Sequence, residues 1–205
     1  MITRSQFGHP LAASTLALTL ALLKALDVTD HVNGEVFVVN GNRYVYNATS
    51  VLAGDDIFVI APTTGAGRYL LAPGYVFDLS LAIAFGTADA AVLATLPAGM
   101  YALIGRSYWE VTADWTGGSS SAIGVSSGQA PNSTKGDLLG GASGDVLATL
   151  VASSVRTLGT VGAKVAGGIL LKPTNTVRFD RITSAFTAGT GFVHLVGQVV
   201  ANPGA

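Results

Sequence analysis

Cysteine is absent from the 205 residues, which excludes a disulfide framework and any thiolate metal centre. Charge is nearly as scarce: Asp, Glu, Lys and Arg make up 11% of the chain, where soluble domains average about 25%. Lysine and arginine form no cluster and the formal net charge is -1, so there is no electrostatic footprint for nucleic acid. The longest apolar segment, residues 11–26, is interrupted by Lys24 and falls short of the ~20 residues a bilayer span needs. It has no convincing small-residue cleavage site after Leu23, so neither export nor a membrane anchor is expected. What the chain has instead is apolar side chains, 49% of the total, and 26 glycines. That mixture predicts short strands joined by tight turns, and so much apolar surface with so little charge predicts obligate partners.

The segment "LAASTLALTLALLKAL" follows Pro10 and is rich in good helix formers, with Leu16, Leu20 and Leu23 at a,d-like spacing. A helix is expected here, with leucine covering most of its circumference, and so buried. Its burial is either in the core of this chain or in an oligomer or partner protein, which makes Leu16, Leu20 and Leu23 candidate partner-binding residues.

After Asp27 the pattern changes to period two. "GEVFVVNGNRYVYNATS" holds two runs rich in Val, Phe and Tyr joined by Asn40-Gly41, the pair that a type I′ hairpin favours because both central residues need positive φ. In "DDIFVIAPTTGAGRYLL" two further strands, Ile57 to Ile60 and Arg68 to Leu71, flank a turn containing Pro62, Gly65 and Gly67. The glycines invite a phosphate-loop reading, but neither G-x-x-x-x-G-K-[ST] nor G-x-G-x-x-G is present: Leu70 stands where the third glycine belongs, and a strand follows rather than a helix N-terminus. Gly65, Gly67 and Arg68 therefore read as turn residues. Residues 75–200 contain many short strand candidates separated by turn signals, which suggests a two-sheet sandwich, jelly-roll-like in arrangement. Within it, "GQAPNSTKGDLLGGASGDVLATLVAS" is a long glycine-rich excursion, a contact loop or a flexible one.

Chemistry is sparse. His9, His31 and His194 lack the spacing of metal ligands, and His194 reads as a strand residue. Asp55-Asp56 reads as a strand-start turn rather than a cation site, and the serines around Ser119 to Ser121 lack a nucleophile elbow. No catalytic, cofactor or metal residue is assigned, and an enzyme is not expected. Trp109 sits in an alternating strand and is expected in the core. Trp115, beside Thr116-Gly117-Gly118, is expected at an exposed turn edge, a candidate binding hot spot.

Two stretches carry a resemblance. "YVYNATS…AGDDIFVIAPTTGAGRYLL", within residues 35–72, resembles the small β module near the N-terminus of bacteriophage tail fibres and tailspikes. "LPAGMYALIGRSYWEVTADWTGGSSSAIGVSS" and "FDRITSAFTAGTGFVHLVGQVV" are similar to sandwich domains of phage head-decoration and fibre proteins. The resemblance implies a virion structural protein, assembled in the host cytoplasm, that decorates a capsid or forms the base of a short fibre. It also implies a homotrimer with capsid or tail proteins as partners; a host glycan recognised through Trp115 is the alternative. No long repetitive shaft is present, so a receptor-destroying activity is not expected. The expected organisation is an N-terminal arm and helix over 1–30, a hairpin module over 31–74 and a β-sandwich over 75–205.

Overall fold

The computed structural model describes residues 17–118, 121–128, 134–146, 150, 157–168, 170–183 and 186–200. The chain is mainly β and divides into two compact units, Met1–Ala72 and Pro73–Ala205.

The first unit is built on the Asn40-Gly41 hairpin. Both residues take positive φ, 49° and 81°, the mirror-image turn whose twist matches that of the flanking strands. These are β2 (Val36–Val39) and β3 (Asn42–Asn47). β5 (Arg68–Leu71) pairs antiparallel with β3, and β4 (Val59–Ile60) with β5. Alternation puts Phe37, Val39, Tyr44, Tyr46, Tyr69 and Leu71 in the core; each fully buried side chain of this size contributes about 1.5–3 kcal/mol.

The described part of the expected helix is helical over one short stretch. Residues 1–16, Leu16 included, lie outside the described residues. Ala17–Leu18 form strand β1, which pairs in parallel with Val38 and Val39 at the edge of β2. Only Leu20–Lys24 are helical (α1), capped by Thr19, whose hydroxyl accepts from the Leu22 amide at 3.2 Å. The physical reason is competition: the free edge of β2 offers ladder hydrogen bonds, and an extended Thr19 starts the helix late. Leu23 is fully buried, Leu20 half-buried and Leu22 56% exposed, so this leucine-rich turn is not buried all round.

The second unit is organised by its last strand, β15 (Phe186–Val200), 15 residues long. On one edge it pairs with β6 (Val76–Ala84) from Thr190 to Gln198. On the other it pairs first with β9 (Tyr108–Gly117) and then with β8 (Tyr101–Ile104). β8 and β9 are thus one path interrupted at Gly105–Ser107. There Ser107, 2% exposed, accepts the Val196 amide with its hydroxyl at 3.2 Å, while the Gly105 amide donates to Val196 O at 2.8 Å. A side chain so keeps the ladder satisfied across the break. β12 (Thr157–Leu158) extends β9, and β13 (Leu170–Leu171) extends β8.

A second antiparallel sheet has the order β11 (Asp145–Val146), β10 (Ala122–Ser126), β14 (Thr176–Thr183), β7 (Ala91–Thr95). Trp115 of β9 meets Phe186 edge-on at 5.1 Å and Phe179 of β14 at 6.2 Å, joining the two sheets.

Where it is described, the glycine-rich excursion is packed into the second unit. Leu138, Leu139 and Leu150 are buried, and Leu139 bridges Val125 and Val161. Three buried carboxylates fasten it. Asp137 accepts from the Ser127 amide at 2.7 Å, Asp145 from Trp109 Nε1 at 2.6 Å and the Thr160 amide at 3.0 Å, and Asp180 from the Gly136 amide at 2.9 Å. Short helix α2 (Ala163–Ala166) follows it.

Candidate functional site

Alternation along β6 buries Phe77, Leu79, Leu81 and Ile83 and turns Val76, Asp78, Ser80 and Ala82 outward. Register then aligns outward residues across four strands. Ser80, His194, Tyr108 and Leu158 form one row; Val76, Gln198, Leu103 and Leu170 form another.

At the centre of this face His194, 5% exposed, has a carboxylate at each ring nitrogen: Asp78 Oδ1 lies 2.9 Å from Nδ1 and Glu110 Oε2 lies 2.8 Å from Nε2. The Tyr108 ring stacks on the imidazole at 4.4 Å and 7°, and its hydroxyl donates to Asp78 Oδ2 at 2.6 Å. The result is a cross-strand cluster in which the charged groups of three strands satisfy one another. Ser80 Oγ lies 3.4 Å from Nδ1, but Asp78 already holds that nitrogen more closely, so the ring is not placed to activate the hydroxyl. Further along, Thr112 pairs with Thr190 and Thr116 with Thr187 through hydroxyls 2.9 Å apart. Val76, Leu103 and Leu158 are exposed at 68%, 38% and 61%. The face thus combines exposed aliphatic groups, paired hydroxyls and two carboxylates hydrogen-bonded to one imidazole. Exposed aliphatic groups gathered on one sheet face are what another protein surface covers.

Trp115 requires a correction: it is 3% exposed, a core side chain between the sheets, and cannot serve as an exposed hot spot. Its alternation with Trp109 and Val111 along β9 puts it in the inward phase, because the strand runs on to Gly117 where a turn edge is expected. Trp109 is 1% exposed.

The turn residues hold the first unit's loop. Gly65 has φ +88° and Gly67 φ +82°; a Cβ would run into Val28 Cγ2 at the first and lie 2.7 Å from the Tyr46 hydroxyl at the second. Arg68 donates to Leu52 O and Gly67 O at 2.6 Å each. Asp55 Oδ1 accepts from the amides of Ile57, Phe58 and Val59 at 2.8–2.9 Å, and Asp56 pairs with Lys24 at 2.8 Å. Burial, aided by the charges of Asp55 and Asp56, pushes the Tyr44 hydroxyl far above its usual range, and it donates to Ile57 O at 2.7 Å. Among the described residues no group of three or more His, Asp and Glu is placed to hold a metal ion, and no helix is long and apolar enough to cross a membrane.

The residues of the His194 cluster were missed as a site because Asp78, Glu110 and His194 are far apart in the chain and only the register of β6, β15 and β9 brings them together. The available signal was their shared phase, opposite to the core residues, in "VFDLSLAIA", "YWEVTADW" and "GFVHLVGQVV".

No family model and no curated protein matches the chain. Among solved structures it is similar to a chain of the cyanophage Pam1 capsid asymmetric unit, at 20% identity and a TM-score of 0.39, over 65% of this chain and 93% of that one. A likeness this loose carries no argument about topology or role.

Proposed function

We propose that this chain is a non-enzymatic structural protein of a bacteriophage virion, decorating the capsid or forming the base of a short fibre, and held there by contacts repeated over many copies. The observation that carries the reading is the outer face of the β15 sheet, where aliphatic groups stand exposed around charges that are paired within the chain. Such a face favours association with another protein surface over binding a charged small molecule. The scarcity of charge and the segments that resemble phage β modules support the same reading. In it the second unit is a sandwich of the jelly-roll kind, the chain is a homotrimer, and modest contacts gain strength by multivalent placement.

Host-glycan recognition loses its proposed anchor with the burial of Trp115. The test is composition: purified particles are expected to contain the chain in a ratio that fits capsid or tail symmetry, measured by quantitative mass spectrometry. Its presence only as free protein in infected cells would refute the assignment.

A further inference from the structure

Lys164 and Asp137 meet in the interior of the second unit. Lys164 is 7% exposed, Asp137 2% and Ser127 0%. The Lys164 Nζ donates to Ser127 Oγ at 2.6 Å, and Ser127 Oγ donates to Asp137 Oδ2 at 3.0 Å; Nζ itself lies 3.3 Å from Oδ2. The backbone fixes the pair independently of the side chains, because the Lys164 amide donates to Asp137 O at 2.9 Å and the Gly162 amide to Leu138 O at 3.2 Å. Two opposite charges are therefore held away from water, a costly state in a low-dielectric interior, with a hydroxyl bridging them.

We propose that Lys164 and Asp137 are the site of an intramolecular isopeptide cross-link. The ammonium gives a proton to Ser127 Oγ as Ser127 passes its own to Asp137 Oδ2, leaving a neutral amine beside a neutral acid. The Nζ lone pair attacks Cγ and the Cγ–Oδ2 bond breaks. Oδ2 leaves as water, carrying the acid proton and one proton from nitrogen. The product is a secondary amide; no oxidant or reductant is required. Condensation removes both buried charges, and fixed placement of amine and acid supplies the proximity that dilute amines and acids lack. The bond would close the excursion between residues 137 and 164 covalently.

Intact mass spectrometry of the full chain tests this directly: the mass is expected to be lower than that of the sequence by one water. A tryptic digest is expected to yield a branched peptide joining residues 136–156 to 157–178, uncut at Lys164, which separates this bond from a cyclic imide elsewhere. Lys164→Arg restores the full mass, and Ser127→Ala reduces the linked fraction in freshly folded protein. A native chain of full sequence mass that trypsin cleaves after Lys164 overturns the proposal, whether or not the variants fold.

Discussion

At the scale of single residues, the buried carboxylates set how the second unit responds to acid. Burial pushes the Asp180 carboxyl above its ordinary value of 3.8, although the Gly136 amide, the Ser126 hydroxyl and Lys135 pull the other way. A raised folded value means that the folded chain holds the proton more tightly than the unfolded one. The ionised group therefore costs stability at neutral pH, and this cost is relieved as the pH falls through the folded value toward 3.8. Asparagine can keep both hydrogen bonds, its carbonyl accepting from Gly136 and its amide donating to Ser126, whose hydroxyl then accepts. Asp180→Asn is expected to fold with stability at pH 7 within about 1 kcal/mol of the native chain or above it. Its stability relative to the native chain is expected to decline as the medium becomes weakly acidic, read from urea unfolding at a series of pH values. A constant difference across that range would show that folding does not raise the Asp180 value.

At the scale of elements, legibility followed locality. The Asn40-Gly41 turn requires two positive φ values that few residue pairs supply, so the hairpin could be read from six or seven neighbouring residues. The same holds for β6, whose strict alternation needs no partner to define its two faces. The N-terminal segment is less legible because at Ala17 and Leu18 the alternatives, helix or edge strand, differ by a pairing with β2 that lies some distance along the chain. The glycine-rich excursion is less legible for a related reason: its aspartates, Asp137 and Asp145, look solvated in sequence and are buried against Ser127 and Trp109, donors outside the excursion. The Trp109 indole is one such fastening. Trp109→Phe keeps most of the packing but removes the Nε1 donor from Asp145, a buried acceptor that retains Thr160. A cost of about 1–3 kcal/mol is expected, with amide exchange rising first around residues 157–162 and not along β6. Uniform loss of protection through the second unit would mean that this indole supports the whole core and not the excursion alone.

At the scale of the whole molecule, composition and surface point the same way. A chain with 11% charged residues has few ionic groups with which to keep an exposed sheet face solvated, and on the outer face of the β15 sheet the principal charges, Asp78, His194 and Glu110, are engaged with one another. If that face is the contact surface, any unpaired charge added to it must be desolvated once it is covered. Val76 and Leu103 lie in one row of this face, on either side of Gln198, and both are exposed. Lysine at such positions changes folding stability by only about 0.5 kcal/mol, whereas covering an unpaired ammonium costs several kcal/mol, and repeated copies multiply that loss. The double variant Val76→Lys, Leu103→Lys is therefore expected to keep its circular dichroism spectrum and urea midpoint while losing self-association in light scattering and uptake into particles. The double variant Val32→Lys, Val51→Lys is the matched control, because these two valines are 54% and 89% exposed but belong to the first unit. Equal loss in both variants would trace the effect to net charge, and retained assembly in the Val76→Lys, Leu103→Lys variant would move the contact surface off this face.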